Sequence, residues 1–319
     1  MIENNLISSA DLISAADRIK PYIHRTPVLT SSLLDDMTNA KLYFKCENFQ
    51  KIGAFKFRGA CNAIYSKSSD DLKNGVATHS SGNFAQAIAL AARCRHTKAY
   101  IVMPENAPKV KSDAVRSYGA EIIYCKPTQQ AREETLKKVV DETGAVFFHP
   151  YDDTSIIAGQ ATSAIELLDE IKNLDMVMTP IGGGGLTSGT ALAVKYFTKN
   201  TKMIAAEPEM ADDAYRSFKS KTLIPSENPA TIADGLKTSL GKITFPIVMN
   251  YVDEIFTVSE RHIIRAMRIL WERMKIVVEP SGAVPLGVVL QHRGYFENKK
   301  IGIIISGGNV DLDKLPWMI

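Results

Sequence analysis

Lys56 stands between two phenylalanines in the run Gly53-Ala54-Phe55-Lys56-Phe57-Arg58-Gly59-Ala60. Apolar neighbours disfavour the ammonium form, so this setting predicts an amine that is free near neutral pH, below its reference pKa of about 10.4. A free amine is a nucleophile and a base, and it forms a Schiff base with an aldehyde. The alternative is a surface lysine whose stem covers an aromatic ring. Three glycine-rich segments downstream weigh toward the reactive reading.

The first, Thr179-Pro180-Ile181-Gly182-Gly183-Gly184-Gly185-Leu186, follows a predicted strand and opens a predicted helix. Four glycines let the backbone approach a ligand closely, and free N–H groups at a helix start favour an anion, of which phosphate is the natural example. A dinucleotide fold is the rival, since Glu207 ends the next strand where a ribose-binding acid would sit. Against it, the spacing Gly183-x-Gly185-x-x-x-Gly189 misses G-x-G-x-x-G, and no Gly-Lys-Ser/Thr is present for a nucleoside triphosphate in this loop. The second segment, His79-Ser80-Ser81-Gly82-Asn83-Phe84, is another strand-to-helix turn. Its serines and asparagine can simply cap the helix, and on sequence alone that reading outweighs catalysis. The third, Ile304-Ile305-Ser306-Gly307-Gly308-Asn309, follows the last strand. Ser306 at a strand's carboxyl end points into the crevice where open α/β sheets bind ligands. One lysine, one anion loop and two Ser/Gly turns imply a phosphorylated aldehyde held as an imine, which is pyridoxal phosphate.

These residues need elements to position them. Apolar strand patterns are predicted over 41–46, 75–79, 99–103, 121–125 and 145–149, with helical periodicity over 81–95, 108–118 and 128–142. The alternation resumes with strands over 176–181, 202–207, 254–258 and 300–306 and helices over 186–197 and 260–274. That is a βα pattern with parallel sheets. The polar stretch 66–74 reads as a linker and 149–154 as a crossover. A small domain of residues 71–150, inserted into a larger one made of 1–70 and 151–319, is therefore expected. The segment 222–229, with two prolines, reads as an exposed loop.

The chain has 319 residues, 45% apolar and 23% charged, an ordinary globular composition. A net charge of +3 with dispersed basic residues gives no reason to expect nucleic acid. Cys46, Cys61, Cys94 and Cys125 form no C-x-x-C pair and read as buried small hydrophobes in a reducing compartment. The opening Met1-Ile2-Glu3-Asn4-Asn5 lacks a basic n-region and an apolar h-region, and no apolar stretch is long enough to span a bilayer, so a cytoplasmic protein is expected.

The motifs carry a resemblance over roughly residues 8–313. The chain resembles the serine/threonine dehydratase group of pyridoxal-phosphate enzymes, and within it is most similar to the eukaryotic-type serine racemases. The resemblance rests on Phe44-Lys45-Cys46-Glu47-Asn48-Phe49-Gln50-Lys51, on the Lys56 run and the three loops, and on Ile157-Ala158-Gly159-Gln160. It rests further on Ala205-Ala206-Glu207-Pro208, Ile232-Ala233-Asp234-Gly235, Trp271-Glu272-Arg273-Met274-Lys275 and the stretch from Ser306 to Asp311. It implies the tryptophan-synthase-β-like fold (fold type II), with two open, twisted, mostly parallel α/β domains.

It also implies roles. Lys56 becomes the Schiff-base lysine, Asn83 a partner of the cofactor's ring oxygen, and Gly182, Gly183, Gly184 and Gly185 its phosphate loop. Ser306 faces the pyridine nitrogen. Ser80, Ser81, Asn83 and Arg132 receive the substrate carboxylate or lie near it. Glu207, the Ala211 carbonyl and Asp213 match a site for Mg²⁺, Ca²⁺ or Mn²⁺. Lys51, Ala114, Tyr118, Met274, Lys275 and Asn309 match contacts to ATP as an allosteric activator, although solvated surface lysines explain Lys51 and Lys275 equally well. A homodimer acting on a small amino acid is implied.

Inversion at a carbon needs a proton donor across the substrate from Lys56. Ser81 matches that position, where members confined to elimination often carry Ala. The expected activity is serine racemisation with α,β-elimination to pyruvate and ammonia. The alternative is an L-serine/L-threonine or 3-hydroxyaspartate ammonia-lyase. Two departures stand out. Phe84 replaces the usual His after Ser-Gly-Asn, and Tyr151-Asp152-Asp153 replaces the polar Asn-Gln pair of the animal members.

Overall fold

Ile301, Ile303, Ile304 and Ile305 are wholly buried, in a run without polar alternation. Such a run suits a strand covered on both faces of a parallel sheet. The computed structural model describes residues 6–107 and 109–318; the segment Met1 to Asn5 and the predicted helix start at Pro108 lie outside the described residues.

Ten strands form among the described residues: β1 Val28–Leu29, β2 Lys41–Cys46, β3 Val76–His79, β4 Ala99–Pro104, β5 Glu121–Cys125, β6 Val146–Phe147, β7 Met176–Pro180, β8 Lys202–Pro208, β9 Glu254–Val258 and β10 Lys300–Ile305. They make two sheets. One has six strands in the order β1-β2-β10-β7-β8-β9, parallel except for β1. The other has four parallel strands in the order β5-β4-β3-β6. The predicted α/β architecture and its strands are thus present. The strand expected over 145–149 shortens to β6, because His149 turns its Nδ1 back to accept the N–H groups of Tyr151 and Asp152.

The helices Asn83–Cys94, Lys109–Ser117, Gln129–Thr143 and Gly185–Phe197 lie where periodicity places them. The helix expected over 260–274 is α-helical only over Glu260–Ile269 and widens into a π turn at Leu270–Met274. Helices Lys56–Tyr65, Thr154–Glu170 and Pro280–Gln291 leave little amphipathic trace. Every residue from 57 to 64 is buried, and so is every residue from 281 to 290. A helix covered on all sides has no polar face for periodicity to reveal. Cys46, Cys61 and Cys125 are buried as expected, but Cys94, at the end of its helix, is exposed.

The helix that begins with Lys56 is fixed in two ways. At Gly59 it crosses helix Thr154–Glu170 backbone to backbone, since a Cβ on Gly159 would lie 2.6 Å from the Gly59 Cα. Beside the crossing, the fully buried Arg58 donates to Glu47 Oε2 at 2.7 Å and to Glu166 Oε1 at 2.8 Å, and Lys45 Nζ donates to Glu166 Oε2 at 2.6 Å. Two cations and two carboxylates therefore tie β2 and both helices together. Their charges balance, which burial requires.

Candidate active site

Lys56 is the first residue of its helix, and the loop before it is stapled to the loop after β10. Phe55 N–H donates to the Ser306 carbonyl at 3.0 Å, Gly308 N–H donates to the Gly53 carbonyl at 2.9 Å, and Ala54 bridges Gly307. The Lys56 Nζ lies 5.1 Å from the centroid of the Phe55 ring and 5.6 Å from that of Phe84. It donates to the Pro150 carbonyl at 2.9 Å. Burial pulls its pKa down to about 8, with the Glu279 carboxylate pulling the other way. The amine anticipated from the two flanking phenylalanines is real, but its second aromatic neighbour is Phe84, not Phe57.

The turn after β3 meets the same place. Asn83 Nδ2 donates to Glu279 Oε1 at 3.0 Å, and Asn83 Oδ1 accepts from Asn309 Nδ2 at 2.9 Å. Asn309 also donates to the Ile52 carbonyl at 2.7 Å. Lys56, Asn83, Ser306 and Asn309 are thereby brought together, with Ser306 buried. Ser80 Oγ accepts the Gly82 N–H at 3.3 Å. Among the described residues the Ser81 hydroxyl has no hydrogen-bond partner, and the helix that follows has no side-chain cap. The capping role favoured from sequence is therefore not the one Ser81 plays.

The four-glycine loop is packed so closely by its own protein neighbours that side chains would not fit. A Cβ on Gly182 would lie 2.8 Å from the Leu236 Cα, and one on Gly183 would lie 2.5 Å from the Tyr151 ring. Gly184, at φ +85°, is in the left-handed region, and helix Gly185–Phe197 starts there without a side-chain cap. Its first N–H groups suit a phosphate. The dipeptide Pro150-Tyr151 spans the distance between amine and loop: the carbonyl of the first accepts the Lys56 hydrogen bond and the ring of the second covers Gly183. Asp152 then accepts the N–H groups of Lys242, Ile243 and Thr244, and Thr244 Oγ1 donates to the Gly183 carbonyl at 2.8 Å.

Arg132, on helix Gln129–Thr143, has a buried Nε with no acceptor. Burial and then the Arg132 charge hold the His79 pKa below its ordinary value. His149 is pushed down to about 4, by burial first and His79 second. Both imidazoles are neutral at physiological pH, so Arg132 is the cation available to an anionic substrate.

Glu207 lies in β8 and Asp213 opens the helix that follows it, near enough for its charge to act on the Tyr151 phenol. The acidic loop that contains them is not an exposed one at these positions: Glu207 is wholly buried and Asp213 is 1% exposed. Glu207 accepts the N–H groups of Ala214 and Tyr215 at 2.8 and 2.7 Å, capping helix Asp213–Ser220. Among the described residues neither Asp213 oxygen has a partner at full hydrogen-bond geometry, and burial raises its pKa to about 6 against the opposing pull of the nearby Ser226 hydroxyl. Buried Ala211 sits between them in sequence. Among the described residues no cluster of three or more His, Cys, Asp or Glu is assembled, so a cation here would need carbonyl and water ligands as well. Of the residues matched to a nucleotide, Lys51 lies 5.8 Å from the Phe57 ring centroid and Asn309 is held as above. Ala114 and Tyr118 belong to the 109–118 segment, and Met274 and Lys275 close the π turn; no hydrogen bond joins these residues to Lys51 or Asn309.

The residues that sequence reasoning passed over are Glu279, Pro150 and Tyr151. Glu279 caps a helix that has Pro280 at its first position, a recognisable start signal.

A family model described as pyridoxal-phosphate dependent enzyme matches residues 19–307. A β-hydroxyaspartate dehydratase of Paracoccus denitrificans is 50% identical over 307 residues, 96% of this chain and 98% of its own. A serine racemase of Arabidopsis thaliana is 50% identical over 317 residues, 96% of this chain and 95% of its own. The solved structure of maize serine racemase matches with a TM-score of 0.95 at 44% identity, covering 98% of this chain and 96% of that one.

Proposed function

This chain belongs to the pyridoxal-phosphate dependent enzymes, and from that premise we propose that it interconverts L- and D-serine and also eliminates water from serine, giving pyruvate and ammonia. The residues fit the cofactor: four glycines open a helix whose first N–H groups have no side-chain cap, and a partly desolvated amine stands one dipeptide away. When bound, pyridoxal phosphate supplies an electron sink for the charge left when an α-proton departs.

The chain's own residues do the rest. Gly182 to Gly185 hold the phosphate. Asn83, oriented by Glu279 and Asn309, would bond the ring oxygen, and Ser306 would offer a neutral hydroxyl to the pyridine nitrogen. Arg132 would receive the substrate carboxylate. Lys56 moves the α-proton on one face, helped by a pKa near working pH. Ser81 moves it on the other. Phe84 keeps water from the amine. The observation that carries the proposal is the Ser81 hydroxyl, which stands in the turn beside Asn83 with no hydrogen bond to occupy it. Incubation with L-serine should yield D-serine by chiral analysis and pyruvate by keto-acid assay; pyruvate without D-serine would overturn the racemase reading. The likeness to a β-hydroxyaspartate dehydratase supports that second reading, an ammonia-lyase acting on serine, threonine or 3-hydroxyaspartate.

Residues 71–150 are proposed to move as a small domain, since the four-stranded sheet draws every strand from within them. Mg²⁺ or a similar ion is proposed at Glu207, the Ala211 carbonyl and Asp213, supported by the buried Asp213 carboxylate. A homodimer regulated by ATP through the Lys51 and Lys275 groups is proposed by family likeness. A cytoplasmic setting accords with four unpaired cysteines. Among the described residues no helix is long and apolar enough to cross a membrane.

A further inference from the structure

Two arginines in the described chain have a buried Nε with no acceptor, Arg132 and Arg95. The first is accounted for by a substrate carboxylate. The second lies elsewhere, where the chain passes from helix Asn83–Cys94 into β4, on the edge of a cleft of about 590 Å³. This cleft opens at the amino ends of β3 and β4. Ser80 and Ser81 follow the carboxyl end of β3, so the two places are at opposite ends of one strand.

We infer that this cleft binds a small molecule bearing two or more phosphoryl charges. Lys73, His96 and Lys98 line it with Arg95, while Ser69 and Tyr100 contribute hydroxyls and no carboxylate lines it. Among the described residues none of Lys73, Arg95, His96 and Lys98 belongs to an ion pair. Exposed lysines alone would be solvated and would say nothing. Arg95 differs, because it is largely covered yet lines the cleft with the rest of its side chain. Its guanidinium is also held in place: its carbon lies 5.6 Å from the Tyr65 ring centroid, and Tyr65 stacks on Tyr22 at 3.9 Å. A planar fork fixed by an aromatic face is suited to bidentate recognition of an oxyanion through its two terminal amines. The volume exceeds that of one phosphate, and the surrounding basic groups favour a multiply charged ligand. The Lys51, Tyr118 and Lys275 groups do not line this cleft, so it is separate from the nucleotide contacts proposed above.

The test is calorimetric titration of the cofactor-loaded enzyme, whose glycine loop is then filled. Inorganic pyrophosphate and fructose 1,6-bisphosphate are titrated at low and at raised salt, with chloride matched. At least one should bind, more weakly as salt rises. Tighter binding of the bisphosphate marks an organic ligand, and tighter binding of pyrophosphate an inorganic one. Arg95→Ala should weaken binding tenfold or more. Lys98→Glu, at an exposed and unpaired position that does not threaten the fold, should weaken it severalfold. Lys275→Ala should leave it intact. Absence of binding at low salt, or binding that survives both Arg95→Ala and Lys98→Glu, overturns the inference, as does binding lost in Lys275→Ala alone.

Discussion

The Lys56 amine and the Phe84 ring lie 5.6 Å apart, although they belong to different helices and different loops. This contact helps keep the amine dry, and so helps lower its pKa to about 8. Only the deprotonated amine attacks an aldehyde. Capture of pyridoxal phosphate by cofactor-free enzyme should therefore accelerate with pH with a midpoint near 8, well below that of an ordinary lysine. Phe84→His, neutral in that range and more polar, should move the midpoint upward. Stopped-flow absorbance at the imine band reads both. A midpoint that Phe84→His leaves in place would remove Phe84 from the account.

Ser81→Ala should abolish serine racemisation while keeping elimination from L-serine, whose α-proton faces Lys56. Elimination from D-serine should fall with racemisation. A capping serine would act differently, costing about 0.5–2 kcal/mol of stability. Because Ser81 caps nothing, the mutant's melting temperature should match wild type. Racemisation near the wild-type rate would show that another group delivers the second proton.

Burial raises the pKa of Asp213 to about 6, above its ordinary 3.8, and raises Glu207 as well. A carboxyl raised in this way favours the folded state most at low pH, and that contribution is lost as pH rises through 6. Metal-free enzyme should accordingly lose melting temperature from about pH 5 to 7. Mg²⁺ needs the ionised carboxylates, so its stabilising increment should be small at pH 5 and grow toward pH 7. Calorimetric scans with EDTA and with Mg²⁺ decide this; an increment that does not change with pH would place the ion elsewhere.

Arg58→Ala should destabilise the fold by about 3–5 kcal/mol, because it strands the buried Glu47 and partly buried Glu166 carboxylates without their shared cation. The deficit should shrink as pH falls and the Glu166 carboxylate, held low in the wild type by Arg58 and Lys45 against its burial, takes up a proton. Urea unfolding at two pH values measures it.

Much of the site could be read along the chain because its parts are local. Lys56 with its phenylalanine neighbours, four glycines at a strand–helix junction and Ser306 at a strand end each declare themselves within a few residues. What could not be read is what tertiary contact creates. The Lys56 amine meets the Pro150 carbonyl 94 residues away, and Asn83 meets Glu279 at a separation of 196. Ser81 looked like a cap because serine in such a turn usually is one, and only the geometry frees its hydroxyl. The burial of Asp213 cannot be read from an acidic stretch, because it depends on how helix Asp213–Ser220 packs. Helix Pro280–Gln291 escaped because burial on every side erased the period that would have announced it.

The strand made last, β10, lies in the interior of its sheet, paired with β2 on one side and β7 on the other. A growing chain that has emerged only to residue 299 therefore holds two part-sheets with no seam between them, and the loop that staples Lys56 in place does not yet exist. Cofactor loading in this sense waits on β10. Chains that stop at residue 299 should stay open to proteases and form no imine however much pyridoxal phosphate surrounds them, and adding β10 and the loop after it should close the sheet and seat the amine in one cooperative step.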